Sequence, residues 1–385
     1  MACLCQHVHN HLLPNNHIRG RYFPRIYPIH MTQTLPLKHR SSRRILMLFG
    51  FFIILLVSIF IGAGVGNTSI NPDQTLGIVI DEFNTIDGIN ITHDIEYGAL
   101  ERSILRTRLP RIALGILVGA LLAVAGTAIQ GVFRSPLADP SLIGISSGAA
   151  LSVTIFTTFE MTRFLGNFSE PVVAFLGGLI ATYIVYRIAT RSGRTDVMTM
   201  LLTGIAINAL AGAGIGLLSF ITGGNITGSQ DILFWSLGGL ERANWDKVLV
   251  LIPITIICLS IFYGYAQALN TFLLGESEAG HLGVNVQFAK QVIIVVVAIS
   301  VGAGVAMAGI IAFIALVIPQ TLRMTIGPDH RWLIPTSALL GATSLLLADV
   351  LSRTVAYPAP IPIGLITSLL GGPFFLWLLM RDRQI

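Results

Sequence analysis

The pentapeptide Gly144 to Gly148, GISSG, has the G-x-S-x-G spacing that elsewhere exposes a serine nucleophile on a strand-to-helix turn. Acyl transfer there needs a preceding strand and a histidine base. No strand-like run precedes it, and no histidine lies inside an apolar run, so a hydrolase is excluded. Cys3, Cys5 and Cys258 make neither a disulfide framework nor a C-x-x-C pair. Six of the nine histidines crowd into residues 1–44 among Asn, Pro and Arg, where they could take a metal or simply form a disordered basic leader. No G-x-x-x-x-G-K-[ST] occurs, so any ATP-derived work must come from another subunit. Two further features carry charge where it is expensive. Arg108 and Arg111 flank Pro110 at the head of an apolar run, and Asp349 lies alone inside another, where pairing with a neighbouring helix is preferred over proton relay. The first is read either as interfacial snorkelling or as a bidentate anchor for a partner's carboxylate.

The elements that must position these groups are membrane helices. The chain is 53% hydrophobic and 11% charged, against roughly a quarter charged in soluble domains. Its formal charge of +5 belongs to residues 1–44, which hold seven Lys or Arg and no acid; beyond them 17 basic residues face 19 acidic ones, so nucleic acid is not implied. Apolar runs predict spans over 45–65, 110–131, 141–160, 170–188, 198–221, 247–268, 333–352 and 362–380. From Gln291 to Leu322 there are 32 uncharged residues, which would make a helix of about 48 Å, too long for a ~30 Å core. Gly302, Gly304 and Gly309 predict a break, with a turn near 307–310 and two helices. The expectation is an all-α polytopic domain of ten transmembrane helices over 45–385, behind a disordered tail over 1–44.

Arg40, Arg43 and Arg44 precede the first span and predict cytoplasmic N- and C-termini. Beyond the tail this topology gives nine Lys or Arg inside and eight outside, four of the latter between Arg102 and Arg111. Positive charge held outside against the trend asks for a function.

In the fifth span, MTMLLTGIAINALAGAGIGLLSFITGG, Asn208 needs protein or a water-filled path beside it, while Gly212, Gly214 and Gly216 are equally explained by close helix packing. In F-R-S-P-L-A-D-P, Asp139 or Pro140 starts the next helix. Asp231 to Trp245 mixes aromatics and charge as an interfacial anchor would. Leu274 to Val286, LGESEAGHLGVNV, is the polar interruption between spans six and seven; its glycines punctuate two very short helices or an inert loop on the inner face.

R-L-P-R, G-A-x-L-A-x-A-G, Q-G-x-F-R-S-P-L-A-D-P-x-L-x-G-x-S-S-G-A-A and G-E-x-x-A-x-x-L-G-V together resemble the FecCD-type permease subunits of type II ABC importers for haem, ferric siderophores and vitamin B12, in wording nearest the haem permeases. The resemblance implies docking of a periplasmic binding protein on Arg108, Arg111 and Arg353, with 231–245 as a short helix and second docking edge. It implies seating of an ABC ATPase subunit at Gly275, Glu276, Ala279, Leu282 and Gly283, within a coupling loop over 270–288. It also implies a translocation path along Asn208, Gly212 and Gly216 between two copies of the chain. Ala312 and Ala315 stand where that family commonly has glycine, and Gln320 where it usually has histidine. The implied protein is a permease without cofactor, metal site or enzymatic activity of its own, in the lipid of a bacterial inner membrane. Ferric siderophore or B12 is the alternative cargo. An ion-coupled secondary transporter is the alternative class, disfavoured because Asp349 is nearly the only intramembrane acid.

Overall fold

A computed structural model of the chain describes residues 37–65, 99–159, 168–191, 194–221, 235–355 and 361–382. Among the described residues the fold is almost wholly helical. In chain order the elements are α1 (Leu37–Gly64), α2 (Ala99–Phe133), a 3-10 turn (Pro140–Ile143), α3 (Ile145–Thr158), α4 (Ser169–Ala189), the paired β1 (Thr190–Arg191) and β2 (Arg194–Thr195), α5 (Val197–Ile221) and α6 (Trp245–Gly264). They continue with α7 (Ala266–Phe272), α8 (Glu276–His281), α9 (Val286–Ala308), α10 (Ile314–Thr325), α11 (His330–Thr354) and α12 (Ile363–Asp382). The two strands form a minimal antiparallel hairpin, Thr190 opposite Thr195.

Seven described helices are long and apolar enough to cross a membrane: α1, α2, α4, α5, α6, α9 and α11. The remaining expected spans coincide with α3, α10 and α12, two of which are short. At 12 residues α10 reaches only about 18 Å, well under a ~30 Å core.

Small residues decide the packing. Helix α2 is the buried centre, and its G-A-L-L-A-V-A-G segment brings two neighbours to backbone contact. A Cβ on Gly119 would lie 2.5 Å from the carbonyl oxygen of Gly341 in α11, and one on Gly126 would overlap the carbonyl of Ala315 in α10. One turn along, the Thr127 and Ser337 hydroxyls share a hydrogen bond of 2.8 Å. The α3–α4 crossing repeats the device with Gly148 against Gly177.

Several boundaries differ from the expectations. Helix α1 starts at Leu37, inside the stretch read as tail, because 37–44 contains no Pro or Gly and good helix formers continue into the apolar run. Residues 1–36 lie outside the described residues. Helix α2 starts at Ala99, so Pro110 is internal and not in a first turn; it removes one donor from the ladder. Gly302 and Gly304 do not break α9 but sit inside it against Phe175 and Leu122. The break is at Gly309, whose φ of +70° and whose contact with the Trp235 carbonyl only glycine accommodates. The unwound backbone there is satisfied. Gly239 N–H donates to Ala308 O at 2.8 Å, and Ile363 and Gly364 N–H donate to Gly238 O and Leu237 O at 3.0 Å each, so one loop caps the end of α9 and the start of α12.

Candidate functional site

Three sets of residues combine polar chemistry with a defined place. The first is the knob between α6 and α9. Its position follows from α2: Arg134, just past the end of that helix, has its Nη1 3.8 Å from where a Gly275 Cβ would be, whereas Arg108 lies about 39 Å back along the same helix. The knob and the arginine cluster are therefore at opposite ends of the bundle. Helix α8 is bracketed by Gly275 (φ +118°) and Gly283 (φ +84°), conformations that L side chains rarely adopt. Ala279 is the fully buried residue of α8 and Val284 N–H returns to Ala279 O at 3.1 Å, while Leu274, Leu282 and Phe288 are exposed. Leu282 therefore presents an apolar side chain where Glu276, Gly275 and Gly283 set the frame. Of the two short helices expected within 274–286, one is there; the other, α7, precedes it, and Gly280 is internal to α8.

Polar bonds fasten the knob to the membrane helices. Lys290 of α9, 2% exposed, extends Nζ to within 2.7 Å of Glu276 Oε1. Asn270 of α7 accepts from His330 N–H at 2.8 Å and donates to Asp329 Oδ1 at 2.8 Å; Asp329 in turn receives Arg44 at 3.2 Å. Beside Glu276 a cleft of about 370 Å³ is lined by Arg134, Thr195, Asp196 and Gln287. The Thr199 hydroxyl and N–H both donate to Asp196, holding its carboxyl below the usual range. Sequence reasoning missed Lys290 and Asn270. The signal for Lys290 was its position as the last charge before 32 uncharged residues.

The second set lies at the other end. Arg108, Arg111 and Arg353, expected on the outer side as an anchor for a partner's carboxylate, are turned inward. Asp349, with no exposed surface, pairs with Arg111 Nε at 2.6 Å and with Arg353 Nη2 at 2.9 Å. Arg108 donates to Ala63 O at 2.8 Å and Arg353 to Gly62 O at 3.2 Å. The physical reason is that the last carbonyls of α1 have no partner within their helix and the buried carboxylate needs counter-charge, so guanidinium groups satisfy both. The preference for helix pairing over proton relay at Asp349 agrees with this geometry.

The third set surrounds Asn208. Ser147 Oγ donates to Asn208 Oδ1 at 2.6 Å and Asn208 Nδ2 to Ser141 O at 3.4 Å. Around them a cavity of about 440 Å³ is lined by Ser146, Thr154, Gly212, Ser219, Trp235 and Ser236 among others. The GISSG serines thus face a cavity as hydrogen-bonding groups. Gly212 borders that cavity; Gly216, one turn on, has open space beside it. Trp235, expected as an interfacial anchor, is half-buried in the cavity wall and, with Ser236, has helical backbone before a turn; Asp231 to Phe234 lie outside the described residues. Asp139 Oδ1 accepts from Ser141 N–H at 2.7 Å and starts the 3-10 turn with Pro140 at its first position, as expected; burial pushes its carboxyl up from the ordinary range. Gln320 has a buried Oε1 without a hydrogen-bond partner.

Comparisons with known proteins agree on one family. The sequence profile described as the FecCD transport family matches residues 54–381. The chain is 43% identical over 340 residues to the hemin transport system permease protein of Yersinia pestis, covering 88% of this chain and 96% of that protein. It is 41% identical over 278 residues to the cobalamin import system permease protein of Halobacterium salinarum, covering 72% and 73%. A solved structure of a metal-chelate type ABC transporter in an inward-facing conformation superimposes with a TM-score of 0.74 at 29% identity, covering 87% of this chain and 99% of that one.

Proposed function

Because the chain belongs to the FecCD transport family and is a multi-pass membrane permease of the ABC transporter type, we propose that it carries haem, delivered by a periplasmic binding protein, across a bacterial inner membrane. The observation that carries the cargo class is the cavity at Asn208. Its walls are serine and threonine hydroxyls, one amide and apolar groups, a surface that hydrogen-bonds the periphery of an iron chelate and does not ligate the iron itself. The 43% identity to a hemin permease over nearly its whole length favours haem over a ferric siderophore or vitamin B12.

The ATPase subunit seats on the exposed apolar residues of the knob around α8, and the binding protein approaches the end holding Arg108, Arg111 and Arg353. Since Asp349 already occupies two of these arginines, a partner carboxylate reaches them by exchange with it. Two copies pair across α5, whose Leu202, Leu210 and Leu217 are exposed and whose Gly212 and Gly216 have nothing within 4 Å; lipid covers the rest of the apolar perimeter. On this reading the chain crosses ten times with both termini cytoplasmic, and the short α7 and α8 lie between spans six and seven. The test is ATP hydrolysis by the reconstituted complex with binding proteins loaded with haem, a ferric siderophore or B12. Haem should stimulate most; stimulation by none would reject the importer reading.

A further inference from the structure

Helix α8 is six residues long and lies between two glycines with positive φ. A helix so short has little stability of its own, and nothing lies within 4 Å of a Cβ placed on Gly283. A partner pressing on the exposed Leu282 side would therefore rock α8 about its glycines unless side chains fix it to something stiff. Two contacts do so. Ala279 is packed at 0% exposure, and Glu276, the first residue of the helix, meets Lys290 Nζ at 2.7 Å. The two partners are unequally placed: Glu276 keeps 40% of its side chain exposed, whereas Lys290 keeps 2%. An ammonium group so deeply placed at the root of a transmembrane helix is costly unless paired, which makes the pair directional and stiff. Asp196 is a second acid within electrostatic reach of Lys290. From Lys290, α9 runs through the bundle against α2 and α4 to Ala308, whose carbonyl takes Gly239 N–H at the loop that also carries Trp235 of the Asn208 cavity.

We infer that Lys290 is the positioning residue that locks α8 to α9, so that displacement of the knob moves α9 and the loop at Gly309 and does not dissipate at Gly275 and Gly283. This rests on the reading of the chain as an ATPase-driven permease. The decisive variant is Lys290→Met, which keeps side-chain length and apolar packing while leaving Glu276 hydrated, so the fold is retained. The full complex is reconstituted in vesicles, and ATP hydrolysis and cargo uptake are measured together with whichever of haem, a ferric siderophore or vitamin B12 drives the wild type. Hydrolysis should persist while uptake per ATP falls about ten-fold, a factor typical of coupling between linked sites. The reversed pair, Lys290→Glu with Glu276→Lys, should restore most of the ratio. A purely structural role would lower the amount of folded complex and leave the ratio untouched. An unchanged ratio in Lys290→Met, or no recovery in the reversed pair, overturns the inference. A wild type without ATP-dependent uptake of any of the three cargoes overturns the importer reading, and the inference with it.

Discussion

Asp349→Asn isolates the charge that ties α2 to α11 and, through Arg353, to the end of α1. Asp349 is fully buried and serves two guanidinium groups at once, Arg111 at 2.6 Å and Arg353 at 2.9 Å, whose side chains are 13% and 8% exposed. Asn has nearly the same shape and can still accept one hydrogen bond, so the variant removes charge with little change in packing. Removing one member of a buried ion pair typically costs about 3–5 kcal/mol, because the other charge stays buried without compensation. Here one carboxylate compensates two cations, which places Asp349→Asn at the upper end, about 5 kcal/mol. The contrast is the triple apolar variant Arg111→Met, Asp349→Leu, Arg353→Met. It removes the three directly paired charges together while leaving Arg108 on the Ala63 carbonyl, and should sit within about 2 kcal/mol of the wild type, the residual being the Gly62 carbonyl that Arg353 no longer satisfies. Both are measured on the detergent-solubilised full chain by reversible denaturant unfolding followed by tryptophan fluorescence. If Asp349→Asn unfolds within 1 kcal/mol of the wild type, the view that these arginines are held inward by a buried counter-ion is wrong.

Four other outcomes follow from the same geometry. Gly126→Leu should destabilise by about 3 kcal/mol or more, since its Cβ meets the Ala315 carbonyl and backbone cannot move aside; wild-type unfolding of this variant would contradict the α2–α10 contact. Gly283→Leu meets no neighbour but must adopt φ +84°, at about 1–2 kcal/mol, so folded yield should hold while uptake per ATP drops; full uptake would show that the glycine is dispensable. Asn208→Leu should leave the amount of folded permease intact and reduce haem uptake, because it removes the acceptor of Ser147 from the cavity wall; unaltered uptake would remove Asn208 from the path. Asp139 has a carboxyl raised by burial, so its folded form favours the proton. Its penalty is absent below the unfolded pKa of about 3.9 and grows as pH rises through the folded one. Asp139→Asn, which keeps the acceptor for Ser141 N–H, should therefore stabilise at pH 7 and lose that advantage in acid; a gain independent of pH would refute the assignment.

How much of this was legible in the residues depends on how local each cause is. Lipid solvation acts on every side chain separately, so uninterrupted apolar length was enough to place α4, α5 and α11 within three residues at each end. Turn chemistry is equally local: Asp139 and Pro140 start the 3-10 turn, and glycines at 275 and 283 take up positive φ where the knob was expected. The family motifs are read letter by letter, and the profile match over 54–381 agrees with them. What a side chain faces is decided by helices far away in sequence. Arg108 and Arg111 read as an outer anchor until α1 and α11 supply carbonyls and Asp349; GISSG is already no elbow in the sequence, but only α5 shows what Ser147 faces, by bringing Asn208 to it. Lys290 has no partner legible in the sequence, and Glu276 reaches it only through the fold of the knob. Periodicity and composition determine which segments leave water, whereas partners for buried charge are fixed only when those segments pack, because a guanidinium or an ammonium out of water must find its counter-charge wherever the tertiary fold has put one.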